Sequence, residues 1–338
     1  MGFTNLITGQ LSTLNSMSVI PKVNRKISKI IKPLILITVL LCLCAVGITL
    51  LGTFSDLDIS SVIGNRLLPM AVLVQIVASF LFVLAWKILL SNQAGLNLGY
   101  LETTSHIGVT LLAKYIPGKI WGLVGRGYLL KAHNINFKTS ANLLLLDQVL
   151  TFSSGLATSI LFLSLLYLEI WTLSILFIVI FSLRMLLKMY KRITTLLLDL
   201  IHRALRQQFD EIDQVQADII NPNAFYSVFC LYLIHWCATA LALSLFIYPL
   251  IADNYLTCTL LIIAAIPAAM LSGFIALWAP GGIGVREVVI VAILSLQLPL
   301  EAATFIAIAY RLICVVIDLV IGSTSLIYFS KNKLFRLF

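Results

Sequence analysis

The side chains of this chain that could do chemistry are charges embedded in apolar sequence: Arg126, Asp147, Arg286, Glu287, Arg311 and Asp318, with Lys119 next to a Pro-Gly pair. At membrane depth an ionised side chain is expensive unless paired or hydrated, so each marks either a helix-joining ion pair or a polar site. Two short segments bear on that choice. Tyr115-Ile116-Pro117-Gly118-Lys119-Ile120 and Trp278-Ala279-Pro280-Gly281-Gly282-Ile283-Gly284-Val285-Arg286-Glu287 each set a Pro-Gly break between apolar, helix-like runs. Broken backbone survives in a bilayer only where it is buried in protein or lines a watery cavity. A helix restarting after the break offers free N–H groups and the positive end of its dipole. An arginine beside it suits a phosphate, and glycines at 281, 282 and 284 would let a ligand approach the backbone.

Lys119, Arg126, Gly281, Gly282 and Arg286 are therefore candidate contacts to a phosphate-bearing ligand. Pro117, Gly118, Asp147, Pro280, Glu287, Arg311 and Asp318 are candidates to line or gate its cavity. Asp318 follows Arg311 at i+7 and so shares its helix face. Asp147 and Asp318 are both expected toward the cytoplasmic side. One of them is expected within ion-pair reach of Arg311, because an isolated guanidinium at that depth is too costly. The alternative, open for all these charges, is pairing that only holds helices together.

Other motifs carry little. His106 and His235 fit hydrogen-bonded core positions better than a proton relay, and His133 and His202 look interfacial. The six cysteines form no Cys-x-x-Cys pair and read as small apolar residues. There is no His-Glu-x-x-His, Gly-x-Ser-x-Gly or Walker loop. No catalytic residue, metal ligand or cofactor is assigned.

The elements that must position these charges are transmembrane helices. The chain is 60% hydrophobic and 11% charged, against about 25% charged in a soluble domain. The composition predicts an all-α, polytopic membrane helix bundle and excludes a large soluble domain. No cleavable signal peptide is expected, since the first stretch ends in a basic run. A cytoplasmic tail at 1–32 precedes a single transmembrane domain at 33–330. Its apolar runs predict spans at 33–53, 67–90, 140–168, 171–187, 225–251 and 301–329. The polar stretch 189–221 has helical apolar spacing and reads as a cytoplasmic amphipathic helix.

The net charge of +9 gathers at span ends, as in Lys22, Arg25, Lys26, Lys188, Lys191 and Lys333. That is positive-inside patterning rather than a nucleic-acid footprint, and it places both termini in the cytoplasm. Segments 101–131 and 257–298 hold the two breaks and read as re-entrant hairpins. The first would enter from inside and the second from outside. Each is followed by a long span, and both contain Pro-Gly-x-Ile, which is the layout of an inverted repeat.

The Tyr-Ile-Pro-Gly-Lys segment with the later Arg126, the Pro-Gly-Gly-Ile-Gly-Val-Arg-Glu segment, and a late span carrying Arg311 resemble the flippase-like membrane domain of lysylphosphatidylglycerol synthases and its stand-alone homologues. The family often has Glu-Arg shortly before the Asp of the next span; here Leu143 and Leu144 precede Asp147. The resemblance implies movement or binding of a lipid with a charged headgroup. It also implies membrane lipids, and a separate synthase or glycosyltransferase, as partners, in a prokaryotic inner membrane. No soluble aminoacyl-transferase domain is expected, so lipid lysylation by this chain alone is not. The first expectation is a lipid translocase handling a phospholipid or a polyprenyl-phosphate-linked glycan. The alternative is an integral membrane transferase, or an accessory subunit of one. Against it, the chain's Asp-x-Asp, Asp56-Leu57-Asp58, falls in an expected outside loop. A purely structural partner of synthases is a third reading.

Overall fold

The computed structural model describes residues 59–115, 121–168, 221–276 and 279–331, with isolated positions between 175 and 190. The expected tail at 1–32, the span at 33–53, nearly all of 171–221, and the tip residues Pro117, Gly118 and Lys119 lie outside the described residues. Among the described residues the fold is helical, without strands. The principal helices are α1 (Leu68–Ala94), α2 (Tyr100–Ala113), α3 (Trp121–Ala132), α4 (Phe137–Tyr167), α5 (Pro222–Phe246), α6 (Tyr255–Ile275), α7 (Val285–Leu294) and α8 (Leu300–Lys331).

Their ends follow local chemistry. Pro near the first turn starts α1 and α5, where its missing N–H is no loss. The Asn136 side chain accepts from Thr139 N–H at 2.7 Å and caps α4; Asn221 caps α5 in the same manner at 3.0 Å. Gly95, at φ 63°, closes α1 by donating to the Leu90 carbonyl.

Five helices among the described residues are long and apolar enough to cross a membrane: Leu68–Ala94, Thr139–Tyr167, Pro222–Phe246, Tyr248–Ile275 and Leu300–Tyr328. Four coincide with expected spans. The fifth contains α6, which was expected only as the first arm of the hairpin at 257–298. Pro267 sits inside α6 without ending it. At about 1.5 Å per residue its 21 residues reach on the order of 30 Å, the thickness of the apolar core. Helices α2, α3 and α7 have 14, 12 and 10 residues and fall well short of that. The arms α6 and α7 are therefore unequal.

Packing is organised around two apolar cores. One gathers Trp86, Leu90, Leu130, Leu146 and Phe225 from α1, α3, α4 and α5. The other gathers Leu243, Ile262, Ile266, Leu294 and Ile306 from α5 to α8. Helix α2 packs on α8, and α6 packs on α4. Within each break-containing pair, α2 also packs on α3 and α6 on α7; α3 then meets α4, and α7 meets α8. Bilayer lipid provides little hydrophobic drive between helices, so close approach and van der Waals fit decide such contacts. Gly108 of α2 shows it: a Cβ there would lie 2.6 Å from the Ile321 carbonyl of α8. Beside it Ser325 Oγ donates to the Ser105 carbonyl at 2.9 Å.

Candidate functional site

The second break is a tight turn that only glycine can make. Residues Pro280–Gly282 form a single 3-10 turn, and Gly281, Gly282 and Gly284 have φ of 59°, 71° and 82°. L side chains are strained in that region. Gly281 N–H donates to the Lys114 carbonyl at 3.0 Å, which docks the turn onto the end of α2. Arg311 Nη2 donates to the Gly281 carbonyl at 2.9 Å. The turn is thus fastened to both α2 and α8. The amides of Gly281 and Gly282, expected to face a phosphate, are taken up by the carbonyls of Lys114 and Ala279. The donors left over belong to the first turn of α7, where no side chain caps the Gly284 position.

A cavity of about 240 Å³ lies against this turn, and each of α1 to α8 contributes to its wall. Aromatic and aliphatic side chains such as Phe82, Leu111, Phe152, Met270 and Phe274 form most of it. Its charged lining is three cations, Lys114, Arg126 and Arg286, and one carboxylate, Asp318. The neutral polar groups Gln75, Ser79, Gln148, Thr151 and Thr239 also border it.

The charges in and around the cavity pair in a definite way. Arg126 Nη1 lies 2.8 Å from Asp147 Oδ2, with both side chains 1% exposed. Tyr232 Oη donates to the other Asp147 oxygen. The Arg126 guanidinium also sits over the Trp86 ring, 3.6 Å from its centroid, a favourable cation–π arrangement. Lys114 Nζ is 2.5 Å from Asp318 Oδ2, and Tyr115 Oη donates to the same oxygen at 2.6 Å. Arg311 Nε is 2.9 Å from Glu287 Oε1. The expected pairing of Arg311 with Asp147 or Asp318 is therefore not what forms. Glu287 stands one residue after Arg286 at the start of α7, facing α8, and reaches Arg311 there. Asp147 is held by Arg126 of α3 instead, and Asp318 by Lys114 at the end of α2. Asp147, Glu287 and Arg311 do not border the cavity, whereas Asp318 does.

Arg286 differs from the other three basic residues. It is 7% exposed, borders the cavity, and makes no ion pair among the described residues; its Nε and Nη1 have no hydrogen-bond partner. Room for its stem comes from two absent side chains. A Cβ on Gly273 would lie 2.4 Å from Arg286 Nε, and one on Gly282 would lie 2.6 Å from it. Leaving buried guanidinium donors unmade is costly.

Sequence reasoning missed several of these partners. Lys114 stands just before a recognised motif and Tyr115 is its first residue, but neither was given a partner. Trp86, Tyr232 and Gly273 carried no signal, since an aromatic or a glycine within an apolar span is ordinary. His235 Nδ1 is 2.8 Å from the Ala78 carbonyl, a core hydrogen bond. His106 is buried with Nδ1 unpartnered, and its ring centroid lies 6.2 Å from that of His133. His133 Nε2 in turn is 3.0 Å from Glu102 Oε1.

No curated protein and no solved structure matches the chain. The family described as the lysylphosphatidylglycerol synthase TM region matches residues 30–322, a stretch that takes in the breaks, every cavity-lining residue and all the ion pairs above, and the chain belongs to that family.

Proposed function

We propose that this protein is a lipid translocase that receives the phosphate of a lipid headgroup in the cavity at the Pro280–Gly282 turn. The observation that carries the reading is Arg286, a buried guanidinium with no counter-ion among the described residues, on a cavity wall, at the uncapped start of a helix. A phosphate there would satisfy the free Arg286 donors and meet the positive end of the α7 dipole. The wall suits the rest of a lipid, since apolar side chains dominate it. Phosphate recognition in this reading falls to Arg286, with Lys114 and Arg126 held by Asp318 and Asp147. Asp318 would act as the gating carboxylate.

The same reading takes the two break-containing segments as re-entrant hairpins of an inverted repeat. The contact pattern supports it. Exchanging α2, α3 and α4 for α6, α7 and α8 turns the α2–α8 contact into the α6–α4 contact, and α3–α4 into α7–α8. Both latter interfaces carry an Arg–carboxylate pair, Arg126–Asp147, which is buried, and Glu287–Arg311, in which the carboxylate is partly exposed. Two hairpins meeting at one cavity from opposite sides is an alternating-access layout. On this reading the protein lies in a prokaryotic inner membrane with both termini cytoplasmic and works beside a synthase or glycosyltransferase that supplies its lipid.

The test is scrambling of acyl-labelled phospholipid between leaflets of proteoliposomes, beside a thermal melt in detergent. Arg286→Ala should abolish scrambling yet melt within a few degrees of the parent. Arg286→Lys should retain a fraction, because an ammonium cannot bind phosphate in bidentate fashion. Parental scrambling by a stable Arg286→Ala protein would remove the site from the mechanism.

A further inference from the structure

The pairing pattern also bears on which headgroup the cavity accepts. Of the described basic residues at or next to the cavity, Arg126, Lys114 and Arg311 are matched to Asp147, Asp318 and Glu287. Each pair adds no net charge, whichever partner holds the proton. Arg286 is left over. The described part of the site thus holds one surplus positive charge and no surplus negative one. An entering amine would meet Asp318, the described carboxylate on the cavity wall, already held by Lys114 and Tyr115, and would have to break that pair to gain it as an acceptor; the unpartnered Glu287 Oε2 does not border the cavity. Breaking such a pair strands a charge in low dielectric. A single negative charge would instead neutralise Arg286 at once.

We infer that the cavity selects a singly anionic phosphodiester lipid whose headgroup is hydroxylated and lacks an amine, and discriminates against aminoacylated, net-cationic lipids. This inference rests on the phosphate-binding reading of the same cavity. The walls beyond the cations fit it. Thr110 and Thr239 border the cavity with hydroxyls that are buried and unpartnered, and Gln75 and Gln148 offer amide groups on α1 and α4. Such neutral groups can exchange hydrogen bonds with glycerol or sugar hydroxyls and give an ammonium no charge. The shared chemistry of a glycerol phosphodiester and a polyprenyl-phosphate-linked hexose is the same here: one phosphodiester charge followed by hydroxyls.

Equilibrium binding to the purified full chain in detergent is the direct test, read by native mass spectrometry. The probes are phosphatidylglycerol, a polyprenyl-phosphate-linked hexose, phosphatidylethanolamine and lysyl-phosphatidylglycerol. At least one of the first two should bind about ten-fold or more tighter than either amine-bearing lipid, and the tighter of the two identifies the source of the headgroup. Arg286→Gln should erase that preference. Should Arg286→Gln fail to fold, Asp318→Asn serves: it frees Lys114, raises the surplus to two positive charges, and should move the preference toward the dianion phosphatidic acid. Equal or tighter binding of the lysyl ester would overturn the inference, as would an unchanged preference in Asp318→Asn. The leaflet-scrambling assay separates this from the translocase reading. Selective binding without scrambling keeps the headgroup selection and ends the translocase, whereas scrambling with no headgroup preference does the reverse.

Discussion

Arg286 occupies its position because Gly273 and Gly282 leave space for it. The contacts a Cβ would make at Gly273, 2.4 Å to Nε and 2.5 Å to Cγ, fall on the stem of the side chain, so the arginine must leave as a whole. Gly273→Ala should weaken phosphatidylglycerol binding by about ten-fold and destabilise the protein by roughly 1–3 kcal/mol, the usual range for overpacking. Parental binding by Gly273→Ala would show that Arg286 does not need that space. Asp147 tests the opposite kind of residue, one whose duty is to neutralise. Asp147→Ala leaves Arg126 buried and removes an acceptor from Tyr232. It should destabilise by about 3–5 kcal/mol, seen as a large fall in the detergent melt. The double variant Arg126→Met/Asp147→Leu should recover most of that loss, since a matched apolar pair carries no desolvation penalty. Failure to recover would mean that Arg126 does more than pair.

At the scale of elements, the crossing of α2 and α8 sets how close the end of α2 comes to the Pro280–Gly282 turn. Gly108 of α2 and Gly322 of α8 both lie at this contact, the latter against Leu112. Gly108→Val should abolish folded yield, because its Cβ would meet both the Ser325 hydroxyl at 1.9 Å and the Ile321 carbonyl at 2.6 Å. Adding Ser325→Gly should not rescue it, since the carbonyl belongs to the α8 backbone and cannot rotate away. Rescue would show that the helices can separate by about an ångström without loss of the fold. The consequence reaches the cavity, because the Lys114 carbonyl that anchors Gly281 follows directly on α2.

For the whole molecule, the placement of basic residues at 22–32, 188–192 and 331–336 predicts that both termini and the 189–221 segment face the cytoplasm. Single cysteines introduced into a cysteine-free background should react with an impermeant maleimide in these segments only after the membrane is opened. Labelling of a C-terminal cysteine in intact cells would invert the topology, and with it the assignment of which hairpin enters from which side.

Length and hydropathy alone determined that this chain is a membrane protein, helical among the described residues, and four of the expected spans coincide there with helices long and apolar enough to cross, because that is a local property of about twenty residues. Of the two expected breaks, the one at Pro280–Gly282 was equally legible, since Pro and Gly act on the backbone next to them. So was the family, through the residues around those breaks. Partner choice was not. The i+7 spacing of Arg311 and Asp318 correctly put them on one face of α8, yet Arg311 reaches Glu287 on α7 and Asp318 reaches Lys114 at the end of α2. Which charges meet depends on how helices far apart in sequence cross, and small residues such as Gly108 and Gly273 govern those crossings without any periodic signature. The unmatched state of Arg286 belongs to the tertiary structure alone, because a charge is surplus only after every neighbour's partner has been settled.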